Sequence, residues 1–327
     1  MDNKITKRRL SDFLSYEWII MIVVAVACII VWELVFTMTS VRVSVGQDFK
    51  FYYDQTVYSG SSNKMYSLFV DEEDPERTIF SYDVFKVSHE ALVAEYNVLN
   101  DRLSVQEGDI LITDCVEPEK DAEDKSVRAK TIIDSKDVYD FQSLLEDAET
   151  YLSQFLKDGL NKDSVDVADF DNHDVQKIEN LFRERMKKDN RFRSEEQKIA
   201  GIKLEKERIS DLCDEVKKFR VLLSQGDEYF YMYSRYEQLL ERGVDEKSKE
   251  YYEHNRDKED KRYGLRVENL TGGTDPSEYF KLNESDTAKD VVVLVFDFLE
   301  YQPHLQFETI AFINAIVGEC SNLYDGI

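Results

Sequence analysis

Residues Thr78–Cys115 read TIFSYDVFKVSHEALVAEYNVLNDRLSVQEGDILITDC, and their patterning decides the fold class. Ile79, Phe80, Tyr82, Val84, Phe85 and Val87 are β-branched or aromatic, so Thr78–Val87 predicts a strand. From Ser88 onward, Leu92, Val93, Tyr96 and Leu99 fall on the i, i+3/i+4 spacing of one helix face. Gly108 supplies a stop. Asp109–Cys115 is then a short apolar strand closing on Asp114. Strand, helix and strand in that order make a βαβ unit with parallel strands, so the class is α/β. In open α/β sheets ligands bind beyond the carboxyl ends of the strands. That rule singles out Asp114 as a candidate ligand-binding residue. Its carboxylate can accept two sugar hydroxyls or pair with a cation. An aspartate in that place also caps the next turn, and both readings stand.

Upstream, Val41–Tyr53 alternates in its first half and predicts a strand, and Met65–Val70 predicts another. Downstream, Pro118–Arg128 is charged and unpatterned, which reads as a loop. From Asp137 to about Arg242 the pattern is helical. Asp137–Lys157 has Phe141, Leu144, Leu145, Ala148 and Leu152 on one side, and Asp174 is a natural N-cap for the next helix. Ser194 to Gln197 forms a capping box. Beyond it Ile202, Ile209, Leu212, Val216, Phe219 and Leu223 make a seam broken only by Glu205. That seam is short for a coiled coil, so a hairpin packed within the chain is expected. Glu228–Glu241 continues the helical pattern. Tyr263–Val267 and Val291–Phe298 predict strands, Ser277–Leu282 a short helix, and Gln306–Cys320 an amphipathic helix.

Trp18–Phe36 (WIIMIVVAVACIIVWELVF) is 19 residues long with one charge, Glu33. At about 1.5 Å per residue it matches a bilayer core of about 30 Å. Tyr16, Trp18, Trp32 and Phe36 suit the two interfaces, and Lys4, Lys7, Arg8 and Arg9 favour a cytoplasmic N-terminus. No small-residue cleavage site follows, so an uncleaved signal-anchor is expected. The expected organisation is a cytoplasmic tail at 1–17, a transmembrane helix at 18–36 and an extracellular α/β domain at 37–327. The helix-rich part of that domain is 137–242.

The chain has 327 residues, 42 Lys+Arg and 67 Asp+Glu, for a formal charge of −25. The first 36 residues are neutral, so residues 37–327 carry the entire imbalance. Acidity of this size excludes nucleic acid as a partner, because phosphate binding needs clustered Lys and Arg. No phosphate loop, nucleophile elbow, HExxH or GxGxxG occurs. His89, His173, His254 and His304 are far apart and read as surface or capping residues. Asp169–Asp174 resembles the start of a calcium loop, but its sixth position is Asp174 and its twelfth Asn180, so it reads as an acidic cap. Cys115, Cys213 and Cys320 have no zinc-like spacing and read as scattered buried thiols. No catalytic residue, metal or cofactor is expected. Tyr231 and Tyr233 stand in a tyrosine-rich run (YFYMYSRYEQ), where aromatic faces can stack on a sugar or serve packing.

Three stretches together resemble extracellular solute-binding proteins of ABC importers, in their single-pass, membrane-anchored form. They are Tyr96–Asp114, Arg208–Glu241 with DLCDEVKKF, and Tyr263–Cys320 with DPSEYF and VVVLVFDFLEYQP. The resemblance implies a two-lobed α/β domain that captures a carbohydrate or other small polar solute beside a transporter permease, without catalysis. Asp114, Tyr231 and Tyr233 are the residues it would use. Two rivals stay open: a cell-envelope interaction protein docking a membrane protein through its helical region, and a hydrolase using paired carboxylates.

Overall fold

A computed structural model describes residues 18–39, 48–54, 56–57, 64, 66, 68–69, 86–92, 97–105, 107–117, 127–135, 138–189, 192–234, 261–282, 285, 287–297 and 308–326. The chain divides into two units, Met1–Val43 and Ser44–Ile327. In the first, helix α1 (Trp18–Thr39) is unbroken. Its stretch Trp18–Phe36 is long and apolar enough to cross a membrane, and apolar side chains are exposed all round it.

The second unit is mixed α/β. Its strands are β1 (Asp48–Asp54), β2 (Lys86–Leu92), β3 (Ile110–Asp114), β4 (Phe230–Tyr233), β5 (Lys261–Arg266) and β6 (Val291–Val295). They form one six-stranded sheet in the order β2-β1-β3-β6-β5-β4. Strands β2, β1 and β3 are parallel; β6, β5 and β4 join antiparallel. The βαβ unit is present, but β1 lies between its strands, so the connection through helix α2 (Asn97–Ser104) crosses over β1. Among the described residues there is one sheet in one compact unit. The two lobes that the resemblance implies are not distinguished there.

Both faces of the sheet are covered, which explains why β3 and β6 are buried at every residue. Side chains alternate across a strand. Ile110 and Ile112 therefore join the larger core, with helices α4 (Phe141–Ser153), α5 (Val175–Arg185), α6 (Glu195–Leu223) and α7 (Glu308–Cys320). Leu111 faces the other way, into a smaller core with Leu99 of α2 and Ala129, Ile132 and Ile133 of helix α3 (Arg128–Ser135). Asp174 accepts the N–H groups of Gln176 and Lys177, and Ser194 and Gln197 close the capping box of α6. The α6 seam packs within the chain: Ile209, Leu212, Val216 and Phe219 all join the larger core.

Several expectations need correction. Ser88–Leu92 is not the start of a helix: it belongs to β2, which pairs along its whole length with β1. Strand pairing outweighs a helical spacing that short, and α2 begins only at Asn97. Within Met65–Val70, Tyr66 is helical, and Leu68 and Phe69 sit in a turn. The loop assigned to Pro118–Arg128 ends in α3, whose one short apolar face was not read. Glu228–Glu241 is not a helix at its start, since Phe230–Tyr233 is β4, an aromatic stretch suited to a sheet. Residues 41–45, 78–85, 235–260 and 298–307 lie outside the described set.

Candidate functional site

Two adjacent parallel strands each run through apolar residues and end on an aspartate: Phe51-Tyr52-Tyr53-Asp54 in β1 and Ile110-Leu111-Ile112-Thr113-Asp114 in β3. The register pairs Tyr53 with Ile112, which sets Asp54 level with Thr113 and one step from Asp114. Both carboxylates are only 5% exposed. The Thr113 hydroxyl donates to Asp54 Oδ2 at 3.1 Å. Arg128, the first residue of α3, reaches in from the smaller-core side. Its Nη1 donates to Asp54 Oδ1 at 2.9 Å, and its Nε lies 3.5 Å from Asp114 Oδ2.

Asp114 splits its two oxygens. Oδ1 accepts the Val116 N–H at 3.2 Å, the turn-capping bond that the sequence offered as one reading. Oδ2 is buried and accepts no hydrogen bond, although it faces the Arg128 guanidinium. The surroundings add more acid. Cys115 N–H donates to Asp290 O, which brings the start of β6 alongside. There Arg266 Nη2 pairs with Glu268 and lies 3.6 Å from Asp290 Oδ1. This end of the sheet thus gathers Asp54, Asp114, Glu268 and Asp290 around two arginines, Arg128 and Arg266. Cys115 stands among them, and burial pushes its thiol pKa up to about 12, so it is no nucleophile at neutral pH.

The opposite end of the same strands is closed. Lys50 of β1 pairs with Glu107, Arg102 joins Glu107 at 2.8 Å, and Lys50 N–H donates to Asp109 Oδ2 at 2.8 Å. Together these hold Glu107 below the usual carboxylate range, the Lys50 hydrogen bond foremost. Between them Gly108 adopts φ +117°, and a Cβ there would fall 2.2 Å from the Tyr52 ring. Only glycine allows that turn to bring the chain from α2 into β3.

Of the three residues expected at a ligand site, Asp114 is at the strand ends and the tyrosines sit on another strand, in the smaller core that also holds Cys115. Tyr231 and Tyr233 belong to β4, separated from β3 by β6 and β5, about 14 Å at ordinary strand spacing. Both rings are buried in the smaller core, stacked with centroids 6.5 Å apart, and the Tyr233 hydroxyl donates to Asp134 at 2.7 Å. Asp54, Thr113 and Arg128 were missed. The signal available was the repeated ending of an apolar run on aspartate in β1 and β3. Arg128 had none, being a lone arginine at the end of a charged run.

His173 was read as a surface or capping residue, but it is buried, with Nδ1 3.8 Å from the buried Cys213 Sγ. Burial pulls its pKa down, so the imidazole is neutral near pH 7. Asp169 before it caps the short turn Phe170–Asn172, and Asp174 after it caps α5. Cys115, Cys213 and Cys320 are free and buried. Among the described residues, no group of three or more His, Cys, Asp or Glu side chains is placed to hold a metal ion.

Chemically, the strand ends offer two fixed carboxylates, an arginine and a hydroxyl. That set can accept hydrogen bonds from hydroxyl or amine groups, or balance a positive charge. No protein family, curated protein or solved structure matches the chain.

Proposed function

We propose that this chain is a membrane-anchored, non-catalytic binding module that captures a small polar solute, of which a carbohydrate is the foremost kind, at the carboxyl ends of β1 and β3. The observation that carries the reading is Asp54 and Asp114 on neighbouring parallel strands with Arg128 between them, at the place where α/β sheets take their ligands. The N-terminal cations orient α1 with its N-terminus in the cytoplasm, so the α/β unit faces the cell exterior. The resemblance to solute-binding proteins supplies a transporter permease as partner. A second lobe has no counterpart among the described residues, and the proposal does not need one.

The test is thermal unfolding of the detergent-solubilised full chain against sugars, polyols, amino acids and amines. A saturable rise in Tm with one class, lost in Arg128→Ala and kept in Tyr231→Phe, is expected. No rise with any class sinks the reading.

A second reading, docking of another membrane protein through the helical region, draws on Val175, Leu181, Ile199 and Leu204, apolar residues left exposed on α5 and α6. Charged substitutions at Ile199 and Leu204 should then release a co-purifying protein, whereas a solute receptor would keep it.

A further inference from the structure

We propose that His173 is an acid-sensitive latch. As a neutral ring it holds the turn Phe170–Asn172 and the start of α5 against the end of α4 and the side of α6, and protonation releases that segment. The device involves no residue of the strand ends and does not depend on what they bind.

Backbone hydrogen bonds fasten the segment. Asp174 N–H donates to Phe155 O at 2.9 Å, Lys157 N–H to Asn172 O at 3.3 Å, and His173 N–H closes the turn onto Phe170 O at 2.9 Å. Leu156 and His173 are thereby paired as an isolated antiparallel bridge. The His173 side chain is buried, with the whole residue 2% exposed. Its ring meets Phe155 edge-on with centroids 6.5 Å apart, and Phe170 at 6.0 Å. Nδ1 lies 3.8 Å from Cys213 Sγ on α6, and Nε2 has no hydrogen-bond partner among the described residues. A neutral imidazole suits this place, since most of its body is apolar. Residues 157–164 beside it are exposed, so the segment can lift while the sheet stays packed.

An imidazolium is poorly served here. The acids around it are engaged elsewhere: Asp166 with Arg220, Asp169 with the Asp171 N–H, and Asp174 with the N–H groups of Gln176 and Lys177. On α6, Asp214 pairs with Lys217, and at the end of α4 the Lys157 ammonium donates to Asp171 O. Burial pushes the Cys213 thiol up to about 12, so it stays protonated and supplies no charge. For His173 itself burial comes first and opposes the proton. The Leu152 and Phe170 carbonyls and the field of Asp169 favour it, Lys157 opposes it, and the net shift is downward from 6.5. Because the folded pKa is the lower one, the hold is complete above about pH 6.5 and is lost as pH falls through the folded value. Between the two values each pH unit multiplies the open population by about ten.

The experiment follows amide hydrogen exchange of the full chain in detergent from about pH 7.5 to about pH 5, read by peptide mass and corrected for the intrinsic exchange rate. In the wild type, peptides over 155–178 should lose protection several-fold on acidification, while Ile110–Asp114 of β3 keeps its own. His173→Gln and His173→Phe cannot take the proton, so the same peptides should show no such loss across that range. A wild-type segment that keeps its protection down to about pH 5 overturns the inference, as does an equal loss in a folded His173 variant. Should neither variant fold, the wild type alone decides. Loss confined to 155–178 supports the latch, and loss shared with Ile110–Asp114 overturns it.

Discussion

Two charge clusters in the α/β unit differ in how their central carboxylates are held. In the helical layer Glu205, 1% exposed, takes Arg208 Nε at 3.0 Å and Nη2 at 3.2 Å, and Arg185 Nη2 at 3.0 Å. Arg208 also donates to the Tyr151 hydroxyl, and the buried Glu308 lies within its field. Two carboxylates meet two guanidiniums, and both Glu205 oxygens are used. At the strand ends, among the described residues, Asp54 and Asp114 share the Arg128 guanidinium, and Asp114 Oδ2 faces it without accepting a hydrogen bond. Burial without full pairing is costly. The first cluster uses both oxygens of its central carboxylate, and the second lies at the carboxyl ends of β1 and β3, the place where α/β sheets in general take ligands. The same contrast explains the one break in the α6 seam: Glu205 replaces an apolar residue because α5 brings Arg185 to it.

The comparison predicts unequal damage. Glu205→Gln takes from the buried Arg208 and the partly buried Arg185 the carboxylate they share, and should cost about 3–5 kcal/mol in urea unfolding. A loss below about 1 kcal/mol would erase the distinction between the clusters.

Acid gives a second handle on the same cluster. Burial pushes the Glu205 carboxyl up, but Arg208 and then Arg185 outweigh it and bring the pKa from 4.5 down to about 2. Because the folded pKa lies below the unfolded one, this contribution is fully present above about pH 4.5 and is lost as pH falls through about 2. It amounts to on the order of 3 kcal/mol. The difference in unfolding free energy between wild type and Glu205→Gln should shrink across that window and stay constant above it.

How much of this was legible in the sequence divides along similar lines. Strand β3, strand β6, the caps at Asp174 and Ser194 and the α6 seam each announced themselves, because pattern, turn chemistry and tertiary context agree there. The mistakes fell where they conflict. Lys86–Leu92 and Phe230–Tyr233 are edge strands of the sheet, each held by one neighbour that lies far away in sequence. Their helix-like spacing is local, and the pairing that overrides it is not. The site was legible in half. Asp114 followed from the rule of strand ends, but Asp54 became its partner only through the parallel register of β1 with β3. Arg128 became a counter-ion only through the packing of α3. Tyr231 and Tyr233 pack in the smaller core, a place the sequence does not distinguish from a binding surface because burial and binding use the same residue type.

The amino end of β1 and β3 sharpens the contrast within a single pair of strands. There Lys50, Arg102 and Glu107 satisfy one another around Gly108. Gly108→Ala would force a left-handed φ and press a methyl into Tyr52, at a cost of about 1–3 kcal/mol in thermal unfolding. An unchanged Tm would show that this end yields as easily as the other.

The smallest effect on stability is expected at the strand end itself. Asp114→Asn keeps an oxygen for the Val116 N–H, since asparagine caps turns as well as aspartate does. It removes one of two negative charges that share a single arginine, and Arg128 keeps its bond to Asp54. The charge lost had no hydrogen bond at Oδ2 to give up. Unfolding free energy should therefore move by less than about 1 kcal/mol, in either direction. A stability loss matching that of Glu205→Gln would mean that Asp114 is as structural as Glu205, and that the two clusters differ in bonding but not in purpose.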